Sequence, residues 1–238
     1  IYRNLPSLNS LSHFNVMLLK STLLAVYFHY LDDLTNYKEL DLAYRRKQLL
    51  FMLDTLDDCP KHRGLGFVFA HLICPHVPLV FDENGQVSKW HREWDDNFDS
   101  ITPQEISYER FKVFADHSNA QITYLNKRIA QAVKNILSNS PKEPIIIIQS
   151  DHSDRIANFK LDLIDSLQFY NFTAIYMPER YRLNIPSDAS SVNTFRYILN
   201  AMSDFDLPIL SNKYYNYYKS GDTWIMEKLT DYNNNAIN

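Results

Sequence analysis

Four consecutive isoleucines, Ile145 to Ile148, follow Pro144 and run directly into Gln149-Ser150-Asp151-His152. A run this short cannot establish a helix after a proline, and β-branched residues are the most strand-prone available, so the segment reads as a strand. Without polar alternation it suits a position buried on both faces, as in the centre of a parallel sheet. Charge at the end of such a strand must be satisfied by something near it. A carboxylate oxygen beside an imidazole nitrogen is a normal half-site for a divalent cation. The competing reading has Asp151 capping the next helix and His152 simply exposed.

The rest of the chain is read around that strand. Val16, Leu19, Leu23, Val26, Tyr30 and Leu31 recur at helical steps, and Lys20, Ser21, Thr22 and His29 interrupt the run, so it is a packed or amphipathic helix and not a membrane span. A second helix is expected from about Lys38 to Asp57, with Leu49, Leu50, Leu53 and Leu56 on its buried side. Pro60 and Gly64 break the chain before Phe67 to Ile73, whose aromatic and branched residues suit a strand buried on both faces. A long loop from Phe81 to about Pro103 holds Trp90, His91 and Trp94, and loops of this length are often lids or binding surfaces.

Gln104 to about Ser138 has the helical step, with Ile122, Leu125, Ile129, Val133 and Ile136 inward. Phe172 to Met177 is a third strand ending at Pro178. Ser190 or Ser191 then caps a helix with Val192, Phe195, Leu199 and Met202 inward. Trp224 to Leu229 suits an edge strand. Strands alternating with helices imply an α/β fold, a mainly parallel sheet flanked by helices, with ligands beyond the carboxyl ends of the strands. The expected organisation is one domain: a helical lead-in over 1–63, a sheet-bearing core over 64–230 and a tail over 231–238.

Composition removes several function classes. A net charge of −4 with no Lys/Arg stripe argues against nucleic acid as a partner. The four glycines form no phosphate-cradling loop. Of the two cysteines, Cys74 lies in an apolar run and reads as a small buried thiol. The chain starts at Ile1 and reads as a piece of something longer.

His71 and His76 flank the end of the Phe67–Ile73 segment and would face Asp151 and His152 across one crevice if the two strands were neighbours. His71 reads equally well as a hydrogen-bonded core histidine. His76, held between Pro75 and Pro78, reads as exposed and functional. His13, His29, His62, His91 and His117 lack a ligand-spaced partner and take surface or packing roles. Trp90 and Trp94 either cover a substrate or fasten the long loop. The cluster Tyr214, Tyr215, Tyr217 and Tyr218 reads as packing or interface.

At these motifs the chain resembles the alkaline phosphatase and sulfatase-like superfamily, in its lipoteichoic acid synthase-like branch. The matching segments are Phe67-Val68-Phe69-Ala70-His71, Pro75-His76-Val77-Pro78, Tyr124-Leu125-Asn126, Ile145 through His152, and Ser191-Val192-Asn193-Thr194-Phe195-Arg196. The resemblance implies the carboxyl-terminal part of a catalytic domain of alkaline-phosphatase-like fold, incomplete at its amino-terminal side. By it, Asp151 and His152 bind a divalent metal (Zn, Mn, Mg or Ca), His76 contacts the phosphate or sulfate being transferred, and His71 assists. It implies hydrolysis or transfer of phosphate or sulfate esters, on lipids or glycans, by a membrane-anchored protein with an extracytoplasmic domain. The upstream part of the same polypeptide is the implied partner, supplying the first metal carboxylate and a Ser or Thr nucleophile. Ser153 stands where the family has a glycine after the Asp-His pair. Two other readings share these residues: a noncatalytic binding domain of the same fold, and a self-contained metal hydrolase with His71, His76, Asp151 and His152 as its full ligand set.

Overall fold

Leu49 and Leu53, one helical turn apart, are buried on the long helix that the sequence places near residue 38, and this spacing defines the helix's packed face. The helix, α1, spans Tyr37–Asp58 and ends in a short 3-10 turn, Cys59–Lys61. The computed structural model describes residues 37–61, 66–89, 107–153, 171–181, 184–187, 189–220 and 223–229. The expected helix over Val16–Leu31, the residues Trp90 and Trp94, the histidines His13, His29, His62 and His91, and the tail after residue 230 lie outside them.

Two compact units divide the chain, one drawn from Ile1–Asp99 and Lys112–Ile136, the other from Ser100–Phe111 and Leu137–Asn238. In the first, Leu49 of α1 packs with Val80 and Phe81, and Leu50, Leu72, Cys74 and Tyr124 close around them. Phe81, Leu53 and Leu79 are essentially removed from solvent, and each such side chain contributes about 1.5–3 kcal/mol of transfer free energy. Helix α2, Tyr108–Asn139, begins where the hydroxyl of Ser107 accepts a hydrogen bond from the Arg110 amide (3.3 Å), a side-chain cap. Its buried positions are Phe111, Phe114, Ser118, Gln121, Leu125 and Ala132. Of the residues expected inward, Leu125 is buried, while Ile122, Ile129, Val133 and Ile136 are half-buried beside that stripe.

Asp82 to Gln86 make a tight turn between Phe81 and Val87, which form an isolated antiparallel bridge. One carboxylate oxygen of Asp82 accepts from the amides of Asn84 (2.9 Å) and Gln86 (2.7 Å). Gly85 takes φ 79°, a left-handed conformation that a side chain makes costly.

The expected parallel sheet is not what forms. Strand β1, Ile146–Gln149, pairs antiparallel with β2, Thr173–Tyr176, in the register Ile146↔Tyr176 to Gln149↔Thr173. Strand β3, Tyr214–Ser220, pairs antiparallel with β4, Thr223–Leu229, from Tyr214↔Leu229 to Ser220↔Thr223. The described residues thus hold three α-helices and two small antiparallel two-strand sheets, with no parallel sheet. An apolar β-branched run dictates extended backbone, but the direction of its partner depends on how the chain returns, which the run does not encode. Strand β1 is accordingly half-buried along Ile146–Ile148 instead of enclosed on both faces.

Phe67 to Ile73, expected as a second buried strand, forms no regular element and has no ladder partner among the described residues. Phe67 and Phe69 are each 79% exposed. High β-propensity makes a strand only when a neighbour accepts its backbone groups.

Helix α3, Thr194–Met202, follows a 3-10 turn, Ser191–Asn193, preceded by Ser190 as expected, although the Ser190 side chain makes no capping bond. Its phase differs from the expected one. Asn193, Thr194 and Ile198 are buried, whereas Val192, Phe195 and Met202 are exposed. Two asparagines set this orientation. Asn193 donates to the Leu210 carbonyl (2.8 Å) and accepts from the Leu210 amide (3.0 Å). Asn200 does the same with Leu207, both at 2.9 Å. Each carboxamide imitates a neighbouring peptide group, so the segment after the helix is held along it as a strand would be.

Candidate functional site

His71 and His76 belong to the first unit, Asp151 and His152 to the second. At the end of β1 the chain is tied back to the start of β2. The Ser150 amide donates to the Phe172 carbonyl (2.9 Å), the Phe172 amide donates to the Ser150 hydroxyl (2.8 Å), and Asn171 donates to the Ser150 carbonyl (3.1 Å). This clasp fixes the backbone from which the next two side chains project. Ser150 carries no charge and was not singled out by its sequence; its place directly after a β-branched run is the signal that marks it.

Beyond the clasp Asp151 and His152 are both exposed. One carboxylate oxygen of Asp151 accepts the His152 amide (3.0 Å). The other stands 3.5 Å from His152 Nε2. His152 Nδ1 lies 2.7 Å from the Ser153 carbonyl, and since a carbonyl can only accept, Nδ1 carries a proton and Nε2 is the nitrogen turned to the carboxylate. Ser153 thus supplies, through its backbone, the bond that orients this imidazole.

A carboxylate oxygen and a neutral imidazole nitrogen are the donor types a divalent cation takes. Two such donors, each roughly 2.0–2.1 Å from a zinc-sized ion at the tetrahedral angle, stand about 3.4 Å apart; the Asp151–His152 separation of 3.5 Å matches. The pair fits half of a coordination sphere. Among the described residues, no three His, Cys, Asp or Glu side chains gather into a cation site.

The histidine loop in the first unit repeats the same orienting device. His76 Nδ1 lies 2.7 Å from the Val77 carbonyl, so in this exposed ring too Nδ1 carries a proton and donates it to the next residue's backbone. Pro75 and Pro78 flank it, both joined through cis peptide bonds. His71 is exposed with its ring 6.3 Å from that of Phe69, so it is not a core histidine. Burial pushes the thiol of Cys74, between the two, up to about 12 and keeps it protonated at neutral pH. His117, read as a packing residue, has its Nδ1 3.4 Å from the Ser88 hydroxyl.

Gln121 is the residue that sequence reasoning missed. It is fully buried in the middle of α2 and bonds the backbone on both sides of the histidine loop. The signal was present: it falls at a three-residue step from Ser118 and a four-residue step from Leu125, on the packed stripe, where an amide must find partners.

No protein-family model matches the chain, and neither a curated protein nor a solved structure matches it. Among the described residues no helix is long and apolar enough to cross a membrane.

Proposed function

We propose that this chain carries part of the metal- and substrate-binding apparatus of a sulfatase-like hydrolase or phosphotransferase acting on phosphate or sulfate esters. The observation that supports this most is the Asp151–His152 pair, in which a carboxylate oxygen and Nε2 stand 3.5 Å apart in solvent, while the other carboxylate oxygen and Nδ1 are engaged with the backbone. The reading rests on these side chains and on the motifs around them. It does not need a parallel sheet.

In this proposal Asp151 and His152 hold a divalent cation, which when bound supplies Lewis acidity toward the ester. His76, with His71 beside it in sequence, is proposed separately, for the first unit by itself, as a contact for a phosphoryl or sulfuryl group. The nucleophile and the other metal carboxylate come from residues outside this sequence, on the same polypeptide. Substrates on lipids or glycans, and a membrane-anchored extracytoplasmic setting, belong to the same proposal.

Calorimetric titration of the chain with Zn2+ and with Mn2+ tests it. Weak binding, as two ligands of a sphere allow, that is lost in both Asp151→Ala and His152→Ala is the expected result, whereas stoichiometric binding by this chain favours the self-contained site. Binding indifferent to both substitutions overturns the proposal. Turnover of p-nitrophenyl phosphate or p-nitrophenyl sulfate by the chain alone, lost in His76→Ala, would favour the self-contained hydrolase instead.

A further inference from the structure

The loop that carries His76 has little means of holding itself. Pro75 and Pro78 have no amide proton, and no ladder bonds are present from Pro75 to Leu79 among the described residues. What closes the loop is one side chain of α2. Gln121 Nε2 donates to the Pro75 carbonyl (3.2 Å), and Gln121 Oε1 accepts from the amides of Val80 (2.8 Å) and Phe81 (3.2 Å). The residue before His76 and the residues that follow the loop are thus pinned to one carboxamide, itself completely buried.

We infer that Gln121 is the positioning residue of His76: by fixing the backbone on both sides of the loop it holds the Nδ1–Val77 bond and so decides which nitrogen of the ring is open to a ligand. The bond from Nδ1 reaches only to the next residue's carbonyl, 2.7 Å away. A contact this local survives only while the backbone between Pro75 and Val80 keeps its path. Released from Gln121, the loop takes other paths, the ring loses its fixed acceptor, and the proton exchanges between Nδ1 and Nε2 as in a free imidazole. This role does not depend on the chemistry proposed for His76.

Nitrogen-15 NMR of the histidine rings above their titration range reads the tautomer directly. In the wild-type chain His76 and His152 are both expected as the Nδ1–H form. Gln121→Met keeps the volume and removes all three bonds; Gln121→Glu keeps an acceptor for Val80 and Phe81 and loses the donor to Pro75. With Gln121→Met, His76 is expected to shift to averaged tautomers, with amide exchange at Val80 and Phe81 faster by about tenfold or more, while His152 stays unchanged. Gln121→Glu is expected to fall between Gln121→Met and wild type. A folded Gln121→Met chain whose His76 signature matches wild type overturns the inference. So does an equal shift at His152, or failure of both variants to fold, since either makes Gln121 a general structural residue.

Discussion

Replacing Gly85 with alanine probes how the turn after the histidine loop is bound to α2. At φ 79° a Cβ is strained, at a cost of about 1–2 kcal/mol. It also meets an obstacle: an ideal Cβ at this position would stand 2.6 Å from Tyr124 Cζ and 2.9 Å from Cδ2, inside contact distance. The Tyr124 ring cannot yield freely, because its centroid lies 4.8 Å from that of Phe81 and its hydroxyl accepts from Arg128 at 3.1 Å. Displacing it forfeits an aromatic pair of about 0.5–1.5 kcal/mol and a hydrogen bond of about 0.5–1.5 kcal/mol. Gly85→Ala is therefore expected to destabilise the first unit by roughly 2–5 kcal/mol. In a Tyr124→Ala background the collision is gone and only the backbone term of about 1–2 kcal/mol remains. Native-state amide exchange at Leu53, Val80 and Phe81 reads the free energy of this unit without assuming that the chain unfolds in one step. A loss below about 0.5 kcal/mol, or the same loss in both backgrounds, refutes the reasoning.

Asn193→Ala leaves the Leu210 amide and carbonyl without their partner and is expected to cost the second unit about 1–3 kcal/mol; Asn200→Ala, at a half-buried position, should cost less, by amide exchange across α3. A thiol at about 12 is ionised in about one molecule in 10^4 at pH 8, so Cys74 should resist a disulfide reagent in the native chain and react once urea unfolds it. Because its folded value lies above the ordinary 9.0 of a thiol, the stability from protonated Cys74 is complete below about pH 9 and is lost as pH rises toward about 12; Cys74→Ala should flatten that alkaline decline in chemical denaturation.

Much of the local structure could be read from the residues. The helices near Lys38–Asp57 and Gln104–Ser138, the isoleucine strand and the segment ending before Pro178 all form within a few residues of their expected bounds, because periodicity and proline placement act locally. Partnership could not be read in the same way. Apolar patterning at Phe67–Ile73 named no neighbour, and no strand forms there among the described residues; the return of the chain onto β1 is antiparallel. The phase of α3 failed for a different reason: hydrophobicity pointed to Val192 and Phe195, while two carboxamides bound to the backbone of Leu207 and Leu210 turned the helix the other way. At the candidate site the ligand types were legible in Asp151 and His152. The device orienting both rings was not, since it uses the carbonyls of Val77 and Ser153, which no residue name reveals.

The half-buried isoleucines of β1 leave a hazard when the chain is only partly folded. Four uncharged β-branched residues in succession are a segment that stacks readily with copies of itself. Charge stands on both sides of it, Lys142 and Glu143 before and Asp151 after, all exposed, and such flanking charges oppose self-association. The Asp151 carboxylate, exposed directly after the run, is accordingly expected to oppose contact between neighbouring molecules during folding. Asp151→Asn should precipitate sooner than His152→Ala when refolded at equal concentration, a difference that light scattering would record.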